Sequence, residues 1–122
     1  MSILFADTFY FLALLNPGDE GHAKALQVST DLRRPIVTTA WVLTELADAL
    51  ASPVLRVRFA NILALLKSNP RATILPPTSE LFEAGLHLFL SRSDKGWSLT
   101  DCISFAVMKE RNITEARHFQ AG

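Results

Sequence analysis

The chain has 122 residues, with twelve basic and twelve acidic side chains and a formal net charge of zero. That balance excludes a protein that coats nucleic acid through bulk charge, while leaving room for a local basic patch. A hydrophobic share of 49% and a mean hydropathy of +0.23 suit one globular domain over residues 1–122 with a sizeable core, and the single Cys102 excludes an internal disulfide or a cysteine-based metal cluster.

No apolar run approaches the roughly 18 residues of a membrane span. The first residues lack the basic stretch and cleavage site of a secretory signal, so the expected location is the cytoplasm. Taken in order, residues 2–6 carry the continuous apolar run Ile3-Leu4-Phe5, the pattern of a short strand buried in a parallel sheet. Asp7 follows at once, then a helix over 8–15 that stops at Asn16-Pro17-Gly18. An acid between strand and helix has two readings: a helix cap, or a group at the carboxyl edge of the sheet, where open α/β folds place their ligands.

Residues 21–31 suit an amphipathic helix with Ala23, Leu26 and Thr30 on one side. A second strand is expected over 36–38, with Thr38 or Thr39 capping the next helix, in which Val42, Leu46, Ala49 and Leu50 form a buried stripe. Glu45 borders that stripe, whereas Asp48 lies farther round towards solvent. The alternative for Glu45 is a rim carboxylate that reaches water or a basic neighbour. Ser52-Pro53 opens a helix to about Lys67, with Val57, Ala60, Leu63 or Leu65, and Leu66 inward. Arg56, Arg58, Lys67 and Arg71 gather around it, as a solvated face or as contacts to a phosphate backbone. A third strand over 72–75 precedes a helix capped by Thr78 or Ser79, whose Leu81, Phe82, Leu86 and Phe89 are expected in the core. His22, His87 and His118 are dispersed and read as structural or surface residues.

The segment Ser91 to Arg111 begins with Ser-Arg-Ser-Asp-Lys-Gly-Trp-Ser and runs into a helix that is almost wholly apolar except for Thr100, Asp101 and Ser104. Asp101 falls in its first turn, three residues after Ser98. Those two make a capping box, supported by the positive end of the helix dipole; the other reading places Asp101 in a functional cleft. A last short strand is expected over 113–116. Strands alternating with helices imply right-handed crossovers and a short, mostly parallel sheet in a three-layer α/β/α, Rossmann-like arrangement. Three βα junctions would then bring Asp7, Glu45 and Asp101 to one cleft.

Carboxylates forced together repel, and a cation relieves the repulsion. An all-oxygen set suits Mg²⁺, with Mn²⁺ as substitute, and no cysteine or histidine pair offers the softer ligands of zinc. The matching reaction is metal-assisted phosphodiester hydrolysis. Neither a Gly-x-Gly-x-x-Gly turn nor a Walker-type lysine loop is present.

Leu4-Phe5-Ala6-Asp7-Thr8, Thr44-Glu45-Leu46 and above all Asp94-Lys95-Gly96-Trp97-Ser98-Leu99-Thr100-Asp101-Cys102 resemble the PIN-domain ribonucleases, in particular the VapC-like toxins of prokaryotic toxin–antitoxin pairs. The likeness runs almost end to end. It implies a PIN-like α/β/α sandwich, Mg²⁺- or Mn²⁺-dependent endoribonuclease activity, homodimerisation and silencing by a small antitoxin. The family's first three acids fall on Asp7, Glu45 and Asp101. On that resemblance Asp7 and Asp101 are expected to be the direct metal ligands, and Glu45 to orient the attacking water or bind through water. Asp94 matches an acid common in this subgroup and is a secondary catalytic candidate.

The pattern departs after Ile113-Thr114-Glu115-Ala116. Such proteins continue through a short strand to Thr-x-Asp and only then to Arg-His-Phe, whereas here Arg117-His118-Phe119 follows directly. A fourth acid is thus missing, and Glu115 lies before the gap. That departure implies weakened activity, and it motivates an alternative of a different class: a degenerate PIN domain that binds a partner or RNA without cleaving. A phosphoacceptor or phosphatase on a similar sheet is disfavoured, because no Asp-x-Asp follows the first strand.

Overall fold

The structure, a computed structural model, describes residues 3–18, 22–23 and 34–117. The described elements are β1 (Leu4–Ala6), α1 (Thr8–Leu15), β2 (Ile36–Thr39), α2 (Ala40–Ala49), α3 (Pro53–Ser68), β3 (Ala72–Leu75), α4 (Ser79–Ser91), α5 (Leu99–Glu110) and β4 (Glu115–Arg117). The helix expected over 21–31 falls largely outside the described residues. The four strands form one parallel sheet in the order β3-β2-β1-β4, in the three-layer α/β/α arrangement expected from the sequence.

That order positions the site. The chain moves from β1 through β2 to β3 in one direction, then crosses back to β4 on the far side of β1. Right-handed crossovers in opposite directions send α1 and α3 to one face and α4 and α5 to the other, and α2 touches both α1 and α5. Between β1 and β4 the direction reverses, so the carboxyl end of β1 marks the switch point where open α/β sheets bind ligands. Asp7 is the first residue past that end.

β1 is short but central, and Leu4, Phe5 and Ala6 are fully buried. Leu4 pairs with Ile36 and Phe5 with Val37, and the Thr38 hydroxyl donates to the carbonyl oxygen of Ala6 at 2.8 Å. A threonine buried in a strand spends its hydroxyl on a neighbouring backbone group because leaving it unbonded would be costly. Here it ties the carboxyl ends of β1 and β2 together, immediately before Asp7.

α2 buries Val42, Leu43 and Leu46, with Leu50 just beyond its end, whereas Ala49 is exposed. Ala49 thus falls outside the stripe expected for it, and two further sequence expectations need correction. In α3 the inward residues are Leu55, Phe59, Ile62, Leu63 and Leu66, while Val57, Ala60 and Leu65 are exposed. The apolar residues of α3 occupy more than one helix face, so periodicity admitted two stripes. In α4, Phe82 and Phe89 are both exposed, and the buried residue is Gly85. A Cβ on Gly85 would come within 2.9 Å of the Ile103 backbone N and Cα, so the missing side chain is what lets α4 and α5 touch.

α5 buries Cys102, Ile103, Ser104 and Val107 and ends in a Schellman motif. Asn112 takes the left-handed conformation, with φ of 55°. Its N–H donates to Lys109 O and that of Ile113 donates to Met108 O, while buried Ile113 anchors the turn. The chain then enters β4 two residues later than expected, at Glu115.

Candidate active site

Asp7 is only 4% exposed and serves as N-cap of α1. Its Oδ1 accepts from the Tyr10 N–H at 3.1 Å. The two readings of this residue are therefore compatible, since the cap fixes the carboxylate where the switch point lies. Thr8, also buried, donates its hydroxyl to Glu45 Oε1 at 2.5 Å. This bond joins the start of α1 to α2. Glu45 is half-buried, and its partner is a neutral hydroxyl rather than the basic side chain the rim alternative allowed.

Thr8 is the participant that sequence reasoning missed. The available signal was a threonine at the first position of a helix otherwise built of aromatic and aliphatic residues. α2 itself starts well: Thr39 is its N-cap and accepts from the Val42 N–H at 3.2 Å. Because Thr39 ends β2, the helix bearing Glu45 leaves the sheet on the same edge as Asp7.

Asp101 and Ser98 form the expected capping box. Ser98 N–H donates to Asp101 Oδ2 and Asp101 N–H donates to Ser98 Oγ, both at 3.0 Å. The helix it heads packs against α2. The expectation of three βα junctions is corrected here: Asp101 lies in the first turn of α5, which follows α4 through a helix–helix connection. The alternation of strands and helices hid this, because two consecutive helices fill one crossover. Cys102 next to it is fully buried. Burial pushes its thiol up, and the Asp101 charge adds to that effect, so it is a packing residue rather than a thiolate ligand.

Asp94 behaves differently. It is exposed, and both of its oxygens are taken by Arg92, with Nε to Oδ1 at 3.0 Å and Nη2 to Oδ2 at 3.1 Å. The hydrogen bonds and charge of Arg92 hold its carboxyl below the usual range. Arg92 lies over the Trp97 ring at 5.4 Å and Lys95 at 5.8 Å. Trp97 in turn meets Phe105 of α5 edge-on, with ring centroids 5.0 Å apart.

Among the described residues, no three histidine, cysteine, aspartate or glutamate side chains converge as a ready-made metal cage. The donors near the switch point are nevertheless carboxylate and hydroxyl oxygens. Such a set fits a hard ion that needs one or two carboxylates and keeps several waters; it does not fit zinc. The register at β4 bears on the missing acid. Leu4 pairs with Glu115, Phe5 with Ala116 and Ala6 with Arg117, so Glu115 enters at the amino end of the strand, away from the edge that Asp7 marks.

A buried acid at the switch point of a parallel α/β/α sandwich, with further acids heading or lining adjacent helices, defines a class of proteins. The chain belongs to the PIN domain family, whose model matches residues 4–119. It is 26% identical over 117 residues to the 23S rRNA-specific endonuclease VapC20 of Mycobacterium tuberculosis, covering 96% of this chain and 88% of that protein. The crystal structure of that VapC20, described as a Sarcin-Ricin loop cleaving toxin, superposes with a TM-score of 0.80 at 25% identity, over 93% of this chain and 86% of that one. The fold also matches VapBC2 from Rickettsia felis bound to a promoter DNA fragment, with a TM-score of 0.62 at 15% identity, over 91% and 83% of the two chains.

Proposed function

We propose that this protein is a divalent-metal-dependent endoribonuclease and the toxin of a toxin–antitoxin pair. The observation that carries this reading is the buried Asp7 at the switch point, with Glu45 tied to its neighbour Thr8, in a chain similar along nearly its whole length to a 23S rRNA endonuclease. Ribosomal RNA is accordingly the first substrate to offer.

In this reading Asp7 and Asp101 hold Mg²⁺ or Mn²⁺. The ion would supply charge to polarise a phosphodiester oxygen and would lower the pKa of a bound water. The chain's own residues do the rest. The Tyr10 N–H and the Ser98 N–H fix the two aspartates. Glu45, aimed by the Thr8 hydroxyl, orients the attacking water and can take its proton. With Glu115 at the amino end of β4 and no acid after it in the chain, a single-ion site of reduced activity is expected. The cytoplasmic partners are a small antitoxin and a second copy of the chain, for which exposed Val54, Val57 and Leu65 on α3 offer an apolar face. No described helix is long and apolar enough to cross a membrane.

The test is cleavage of a structured RNA pool that includes ribosomal RNA, with Mn²⁺, with EDTA and with Asp101→Asn. Cleavage that needs both the metal and Asp101 is expected; cleavage indifferent to either overturns the assignment. The absence of a ready-made cage among the described residues favours one second reading, a binding-only PIN domain. That domain would show neither cleavage nor thermal stabilisation by millimolar Mn²⁺.

A further inference from the structure

The connection between α4 and α5 carries a cluster that the catalytic reading leaves unused. Arg92 and Lys95 both lie over the ring of half-buried Trp97, and the edge-on contact with Phe105 fixes that ring against α5. The Arg92 guanidinium is held in plane by the two-pronged bond to Asp94. Arg92 and Asp94 are 43% and 63% exposed, and an ion pair that open to water contributes little to stability. Folding alone therefore gives a weak reason for the arrangement.

Recognition gives a better one. Single-stranded nucleic acid is bound by aromatic or guanidinium planes that stack bases, with adjacent cations for the phosphates. Here an aromatic ring, a pinned guanidinium and a lysine are grouped with a local charge of one positive unit, counting Asp94, on a chain whose overall charge is zero. The cluster is also rigidly indexed to the site. Ser98, the N-cap bonded to Asp101, directly follows Trp97, and Phe105 lies one turn beyond Asp101 on the same helix.

We propose that Trp97, Arg92 and Lys95 form a platform that stacks an unpaired RNA base and holds its flanking phosphate beside Asp101, and that Asp94 is a positioning residue that orients Arg92. The platform deepens the ribonuclease reading and rests on it for the identity of the substrate. An acidic protein segment is the competing occupant; a planar guanidinium and a lysine layered on one aromatic ring favour the base-and-phosphate repeat of RNA over it.

The experiment measures anisotropy of a short fluorescein-labelled single-stranded RNA of mixed sequence in EDTA, where cleavage is blocked. Trp97→Ala is expected to weaken binding about 10-fold or more, the loss of one stacked base, whereas Trp97→Phe stays close to the parent. Under Mn²⁺, Asp94→Asn is expected to raise KM severalfold with little change in kcat; a fall in kcat at unchanged KM makes Asp94 a catalytic acid and overturns its assignment. Equal RNA binding by parent and Trp97→Ala overturns the platform, as does displacement of the RNA by poly-glutamate with equal effect on both. If Trp97→Ala fails to fold by circular dichroism, quenching of the remaining Trp97 emission by RNA in a Trp41→Phe background decides instead, and absence of quenching overturns the platform. The two readings separate cleanly. Trp97-dependent binding without cleavage supports the platform and removes the nuclease, whereas cleavage with Trp97-independent binding and KM does the reverse.

Discussion

Replacing Thr8 by Val removes one hydroxyl and little else, since both side chains are β-branched and of similar volume. The hydroxyl lies 2.5 Å from Glu45 Oε1 in a residue only 5% exposed, so water cannot readily stand in on the Thr8 side. A hydrogen bond to a charged acceptor contributes about 1.5–3 kcal/mol net. Glu45 is half-buried, so water recovers part of its lost solvation, and the expected cost is about 1.5–2 kcal/mol, the lower part of that range. With a urea m-value of about 1–3 kcal/mol/M, the midpoint should fall by roughly 0.5–2 M. The clean measurement is a cycle of Thr8→Val, Glu45→Ala and the double variant, followed by far-UV circular dichroism in urea. Most of the loss should appear as coupling between the two sites. A coupling below about 0.5 kcal/mol, the scatter of independent sites, would refute the claim that Thr8 holds Glu45. Relaxed positioning of Glu45 should also lower kcat in the metal-dependent cleavage assay.

Gly85→Ala should lower the melting temperature: its Cβ would sit 2.3 Å from Ile103 Cγ1 and 2.9 Å from backbone atoms of Ile103, and an overpacking cost of about 1–3 kcal/mol outweighs the ~1 kcal/mol that alanine gains in a helix. An equal or higher melting temperature would show that α4 and α5 are not so close. Asp101→Asn keeps an acceptor for the Ser98 N–H and so should cost less than about 1 kcal/mol, the loss of a charge at a helix start, yet abolish any stabilisation by Mn²⁺; a calorimetric scan with and without Mn²⁺ reads both. Arg92 holds the Asp94 carboxyl below its ordinary value of 3.8, so the pair's contribution is present above that pH and is lost as pH falls through the lowered value. The Arg92 Nε resonance, read by NMR, should therefore change with a midpoint below 3.8, and a midpoint at or above that pH would count against the pair. The same resonance should move towards its free position in high salt, which screens an exposed contact.

The parallel sheet was legible because β1 and β2 are buried on both faces and leave uninterrupted apolar runs, Leu4-Phe5-Ala6 and Ile36-Val37. Caps were legible too. Asp7, Thr39, Thr78 and Ser98 all cap where a short polar side chain precedes an apolar run. Helix faces were harder to read. α3 carries Val54, Val57 and Leu65 on its exposed side, so composition alone could not tell which stripe faces the sheet. In α4 the closest approach is made by a glycine, a residue that hydrophobic patterning ignores. The site was legible as residue types and illegible as contacts: nothing in the spacing couples Thr8 to Glu45, 37 residues away, or pins Asp94 to Arg92 rather than to the cleft.

The alternatives that the sequence posed for Asp7 and Asp101 were rivals only in appearance. Capping engages Asp7 through Oδ1 and Asp101 through Oδ2, and the Thr8 hydroxyl engages Glu45 through Oε1. Each proposed catalytic acid is thus oriented by a donor on its own helix or the one beside it. For a site that must place charge within a fraction of an ångström, such anchoring is preorganisation, supplied by bonds that folding needs anyway. Asp94 is held by the opposite arrangement. Both of its oxygens sit in the fork of one guanidinium, so its charge is already matched, and binding a metal would require breaking that pair. This contrast in anchoring, more than position in the sequence, is the physical reason to group Asp7, Glu45 and Asp101 in the proposed chemistry and to assign Asp94 to the surface that meets the substrate.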